Sequence, residues 1–208
     1  MTAAKQRESA MTESPTEPKN VEQSASLPSV SMRQMGVIVL FISMSVLFTA
    51  TLIGFWFTRI TSHHYRAPGL PDLPAGLLLS TLLIGLTSFC IWQAQLSVRR
   101  NLLEALRRWL LAAGALASMF LLTQTANWFA MRPPSDANSL YIACFFMLTG
   151  VHALHVLGGF FPLGFVLHHA SRRHYSSSNH EGLSLCAQYW HFLGAVWLVL
   201  VVTLYLGN

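Results

Sequence analysis

Residues 149–159 read TGVHALHVLGG. His152 and His155 stand three positions apart in an otherwise apolar run. On a helix that spacing sets two side chains about 60° apart around the axis, so both imidazoles share one broad face. Neutral imidazole binds metals and haem iron well, so such a pair could hold a metal jointly or serve two haems singly. A third histidine in apolar surroundings is His191, in YWHFLGAVW. The other chemistry open to these residues is hydrogen bonding between helices. In that reading Gly150, Ala153, Gly158 and Gly159 let neighbours approach closely, and polar side chains bridge them.

The elements that carry these residues are long and apolar. The chain has 208 residues, 53% hydrophobic and only 10% charged, with a mean hydropathy of +0.46. A soluble domain carries about 25% charge. A membrane-crossing helix needs ~20 mostly apolar residues, and five such runs are present, at 35–57, 75–97, 110–131, 140–167 and 184–206. Barrel strands would instead alternate over about 10 residues. The expectation is an all-α, polytopic membrane protein, a bundle of five transmembrane helices over 34–208. The preceding residues 1–33 are Ser/Thr/Glu-rich and read as a disordered tail, without the apolar core of a signal peptide.

Charge sets the orientation. The tail and the second and fourth loops carry Lys5, Arg7, Lys19, Arg33, Arg99, Arg100, Arg107, Arg108, Arg172 and Arg173, against Arg59, Arg66 and Arg132 on the other side. Ten against three predicts a cytoplasmic N-terminus and an outside C-terminus. The basic residues therefore read as topology signals, and nucleic acid is not an expected partner. The arginines of SVRRNLLEALRRW, in the second loop, also suit anionic lipid headgroups, at about 1 kcal/mol each.

All eight acidic residues fall in the tail or loops. The spans hold no carboxylate, Lys or Arg; their polar groups include Gln93, Gln95, Gln124, Asn127 and the three histidines. A self-sufficient proton carrier is thereby disfavoured. There is no carboxylate pair, phosphate-binding glycine loop or nucleophile constellation. Cys90, Cys144 and Cys186 lie inside spans without metal-ligand spacing and read as small buried hydrophobes. With span four running inward and span five outward, His155 lies about 18 Å and His191 about 10 Å from the inner end, which argues against a shared ligand. Tyr189, Trp190, His191 and Trp197 form an aromatic group in span five that suits an interfacial belt or a headgroup groove.

FFMLTGVHALHVLGG resembles the signature F-x-x-T-G-x-H-G-x-H-V-x-x-G of subunit III of haem-copper terminal oxidases. YWHFLGAVWLVLVVTLYL resembles that family's final helix, which usually reads like YWHFVDVVW, and Phe120-Leu-Leu-Thr-Gln124 resembles its F-x-x-x-Q segment. The motif order matches over residues 35–207, in the five-helix bacterial form. The resemblance implies a non-catalytic subunit, without haem or copper of its own, in a complex that reduces oxygen and pumps protons. Such a subunit packs against subunit I, alongside subunit II and small subunits, in the bacterial inner membrane, and holds structural phospholipid. It would make Gly150, His152, His155, Gln124, Trp128, Trp190, His191 and Trp197 packing or lipid-cleft residues. Three family carboxylates are replaced: Ser45, Asn127 and Gly194 stand at those positions. The rivals are a subunit III-like protein of a nitric oxide reductase, a b-type cytochrome using the histidines as axial ligands, and a solute channel lined by Gln93, Gln124 and Asn127.

Overall fold

A computed structural model of the chain describes residues 32–62, 65, 72–132, 140–172 and 180–207. Nearly all of these lie in five α-helices: α1 (Met32–Thr61), α2 (Gly76–Arg99), α3 (Leu103–Ala130), α4 (Leu140–Ser171) and α5 (Glu181–Gly207). Each is long and apolar enough to cross a membrane. The expected tail lies almost wholly outside the described residues, as do Pro68, Pro71, Pro133, Pro134 and most of the fourth loop; α1 begins at Met32, two residues before the expected boundary.

The helices extend past the apolar runs because a helix ends where its hydrogen bonds end, not where its hydrophobicity does. The start of α3 is the clearest case. It begins seven residues before the apolar run, and Arg107 and Arg108 sit exposed on its first turns. The turn before it is chemically specified. Asn101 adopts a left-handed φ of 55°, which asparagine tolerates better than most residues. Its N–H reaches the Val98 carbonyl at 3.0 Å and the Leu102 N–H reaches the Ser97 carbonyl at 2.9 Å, the paired bonds of a Schellman cap. Inside α4, Pro162 lacks the N–H that would reach Gly158.

The arrangement is a ring with one outrigger. Among the described residues α2 packs on α3, α3 on α4, α4 on α5 and α5 back on α2, while α1 packs only on α4 and α5. Phe48 of α1 lies against the His152 and His155 rings of α4 (6.1 and 5.1 Å between ring centres), and Phe41 lies against Phe192 of α5 at 5.3 Å. The Arg59 Nε donates to the Gly207 carbonyl at 2.9 Å, which places a cation at the electronegative end of α5. Arg59 also lies over the Tyr65 ring, 5.1 Å from its centre. Burial pushes the Tyr65 hydroxyl above the ordinary phenol range, nearby Cys144 and Tyr141 add to the rise, and Arg59 opposes it; the phenol stays protonated across physiological pH.

The ring's interior is filled by Trp190, Trp197, Phe120, Phe145, Leu110 and Leu148, each no more than 1% exposed. Close approach occurs at Gly159. A Cβ there would meet the Trp190 and Tyr189 rings at 3.0 Å. Gly150, expected to play the same part, has open space within 4 Å, because the face it presents at that level is turned away from its neighbours. Replacing Gly159 with Leu is expected to destabilise the detergent-solubilised protein by about 1–3 kcal/mol through overpacking. Gly164, also in open space, should accept Leu without loss, and thermal unfolding of the two variants side by side checks both.

Candidate functional site

The opening histidines are carried by α4 and α5. His152 is fully buried. Its ring is 5.0 Å from Trp197, 5.8 Å from Phe120 and 6.1 Å from Phe48, centre to centre, and neither nitrogen has a hydrogen-bond partner among the described residues. His155 is half-buried; its Nδ1 meets the Val151 carbonyl of the preceding turn at 2.8 Å. As the spacing implied, both imidazoles face one neighbour, Phe48. His191 instead faces α2, where its Nδ1 pairs with the Ser88 hydroxyl. The structure therefore does not bring the three histidines together. Among the described residues no three His, Cys, Asp or Glu side chains converge. Three aromatic rings close around His152, which does not fit a haem seated on its nitrogen.

What the polar side chains do is join helices. Asn127 Nδ2 donates to the Ser80 hydroxyl at 3.3 Å, linking α3 to α2, and to Gln124 Oε1 at 3.4 Å. Trp128 Nε1 donates to the Thr149 hydroxyl at 3.0 Å, linking α3 to α4. The Tyr189 hydroxyl donates to the His155 carbonyl at 2.8 Å, linking α5 to α4. Trp197 Nε1 donates to the Thr81 hydroxyl at 3.1 Å, linking α5 to α2 beside the Ser88–His191 pair. Thr81 and Thr149 each pass their own hydrogen back to the carbonyl four residues earlier, at 2.8 and 2.7 Å. The hydroxyl oxygen is then free to accept the indole, so one threonine satisfies both a backbone carbonyl and a distant donor.

Sequence reasoning found Gln124, Asn127, Trp128, Trp197 and His191 but missed Ser80, Thr81, Ser88 and Thr149. A hydroxyl in an apolar helix carries little signal, because its default is a bond to its own backbone. The channel reading fares poorly on placement. Gln124 and Asn127 are buried in the α2–α3 seam, whereas Gln93 lies 13 residues along α2 from Ser80, about 20 Å away at the helical rise. The span-five aromatics are not one group either. Trp190 and Trp197, seven positions apart, share the inward face and are sealed in the core, whereas Tyr189 reaches α4 and His191 reaches α2, because successive positions on a helix point in different directions. Of the three positions where the resemblance led to the expectation of a carboxylate, Ser45 is exposed on α1, Asn127 lies in the α2–α3 bridge and Gly194 borders a groove between α2 and α5.

Several grooves open on the bundle's outside among the described residues, and two of them bear on the site. One, of about 510 Å³, lies between α1, α4 and α5 and is almost wholly apolar, with Leu40, Phe41, Phe161, Phe165, Leu185 and Tyr189 among its walls. The other, of about 260 Å³, lies between α2 and α5 over Thr81, Ser88 and His191.

Residues 28–208, hence all five helices, match the family described as Cytochrome c oxidase subunit III. The chain belongs to the cytochrome c oxidase subunit III family. It is 30% identical over 179 residues to cytochrome c oxidase subunit 3 of Synechocystis sp., covering 84% of this chain and 76% of the relative. It is 28% identical over 194 residues to the subunit 3 of Corynebacterium diphtheriae, covering 87% and 91%. The subunit 3 of the insect Spodoptera frugiperda is 33% identical over 129 residues, covering 62% and 86%. The chain is thus a subunit III of haem-copper oxidases and a multi-pass membrane protein.

In this subunit III the surroundings of His152 give a sharp test. If the ring only fills space, His152→Met keeps stability within about 1.5 kcal/mol, since a flexible apolar side chain fills the same gap and leaves no unpaired nitrogen. His152→Ala leaves a void and loses about 3 kcal/mol. Denaturation in detergent distinguishes this from a ligating role, in which both variants would fail alike.

Proposed function

We propose that this chain is a non-catalytic, structural subunit of a bacterial respiratory haem-copper oxidase, a complex that reduces oxygen to water and pumps protons. The observation that carries the reading is the family match over residues 28–208. Haem and copper belong to partner subunits. This chain packs directly on subunit I and stabilises it, with subunit II and small subunits in the same assembly. Its histidines, tryptophans and carboxamides serve helix packing, and several of them form the interhelical bonds described above. Support comes from the lack of converging ligands among the described residues and from the tight aromatic wall around His152.

The groove between α1, α4 and α5 is the candidate seat of structural phospholipid. Its walls are apolar enough for an acyl chain and its volume is that of a small-molecule site. The N-terminus lies in the cytoplasm and the C-terminus outside the inner membrane. The basic residues support this: Arg99, Arg100, Arg107, Arg108 and Arg172 gather at one end of the bundle, and Arg59 and Arg132 at the other.

The test is gentle purification of the tagged chain from its native membrane, with mass spectrometry of partners, a redox difference spectrum and copper analysis. Large membrane partners carrying haem and copper are expected, with neither group left on the chain once it is isolated. Haem that stays with the isolated chain would sink the proposal and restore the cytochrome reading. Partners with haem but no copper would favour the nitric oxide reductase alternative.

A further inference from the structure

The two ends of the bundle use their arginines differently. At one end Arg59 is bound to the Gly207 carbonyl and lies over the Tyr65 ring, and Arg132 lies over the Phe129 ring, 4.2 Å from its centre. At the other end Arg99, Arg100, Arg107 and Arg108 are all exposed, and Glu104 is the one acid between them. The Asn101 cap turns α2 into α3 within residues 100–102. The four guanidinium groups are thus held within two helical turns of a fixed cap. Four basic residues just beyond a transmembrane helix attract anionic headgroups.

Aromatic rings lie below these charges on the same faces of α2. Trp92 and Arg99 are seven positions apart and Phe89 and Arg100 eleven, so each pair lies within about 20° around the axis. Phe89 and Trp92 are 45% and 52% exposed. Their rings are 5.8 Å apart, and Phe89 also meets Trp109 of α3 at 6.2 Å. At the helical rise, Trp92 is about 10 Å further from the turn than Arg99. The surface is therefore cationic at the turn and aromatic one layer deeper. An inorganic anion or an acidic protein segment would use the arginines and leave the exposed rings unused. A zwitterionic headgroup would bring its own cation to a cluster that holds a single acid. A ligand with an anionic head and an apolar body matches both layers.

We propose that the outer face of α2 and its turn into α3 form a binding site for an anionic phospholipid. Its phosphate sits at Arg99 and Arg100, at the head of the aromatic stripe, and its glycerol and upper acyl chain lie along Trp92 and Phe89. Arg107 and Arg108 add positive field from the first turns of α3. The site is separate from the groove between α1, α4 and α5, whose walls hold no arginine among the described residues.

The test uses the full chain in mild detergent with an equimolar mixture of phosphatidylglycerol and phosphatidylcholine, and retained lipid is counted by native mass spectrometry. The unmodified chain is expected to retain phosphatidylglycerol about tenfold over phosphatidylcholine, less at high salt. R99Q/R100Q should abolish most of that preference, R107Q/R108Q should lower it about threefold, and R99K/R100K should keep it. Each glutamine pair keeps two of the four charges, and thermal unfolding checks that the variant is folded. Trp92→Ala keeps every charge and should lower phosphatidylglycerol retention about threefold, which a site for a bare anion does not predict. In the native membrane, a photo-reactive benzophenone side chain at Leu96, between Trp92 and Arg100, should give lipid adducts. Equal retention of the two lipids, an unchanged preference in folded R99Q/R100Q, or unchanged retention by Trp92→Ala with ready displacement by millimolar inorganic phosphate would each overturn the proposal. A protein adduct in place of lipid at Leu96 would also overturn it and assign this face to a protein partner.

Discussion

Four helix-to-helix seams close the ring, and each carries a side-chain hydrogen bond: Asn127 to Ser80, Trp128 to Thr149, Tyr189 to the His155 carbonyl, and Trp197 to Thr81 with Ser88–His191 beside it. Apolar burial is a weak guide to helix pairing in lipid, because the tails are as apolar as leucine. Register must come from shape and from polar contacts. Each such bond is worth only about 0.6 kcal/mol on average, but a slipped register would also strand a donor in hydrocarbon. The bonds thus select one arrangement, and the sealed tryptophans fill it.

The same constraint explains the chemistry the spans lack. Among the described residues, every side-chain bond across the ring's four seams is neutral to neutral, so no charge has to be desolvated there. At Asn127 the carboxamide donates to both Ser80 and Gln124, which an ionised acid could not do. Gly194, with no side chain, borders the groove that His191 also lines. Arg59, by contrast, is a cation at the bundle's end on the Gly207 carbonyl, where the helix dipole favours it.

Much of this was legible before any coordinates. The five helices follow from apolar run length, whereas the Asn101 cap between α2 and α3 shows itself only through its left-handed φ. The histidine pair's shared face follows from three-residue spacing. The partners were not legible. Thr81, Thr149 and Ser88 look like any hydroxyl in an apolar helix, and only the facing indole or imidazole gives them a role. Nor does a glycine announce what it meets: Gly150 faces open space while Gly159, nine residues on, lies against two aromatic rings. That difference is set by the neighbouring helix, not by the motif that contains both.

α1 stands apart, with 17% of its most apolar stretch buried against 28–44% in the others. It is held by the Phe48 and Phe41 contacts and by Arg59 near its C-terminal end. In the proposed reading such a bundle holds its neighbours and lipid, and among the described residues no three His, Cys, Asp or Glu side chains converge. The measurement that tests this most directly is oxygen consumption by the purified oxidase with and without this chain, normalised to haem. The account predicts that the depleted complex keeps its initial turnover and its haem and copper, then loses activity faster as turnover continues. Absence of turnover from the first cycle, with haem and copper still in place, would mean that this chain supplies a group to the chemistry and would contradict it.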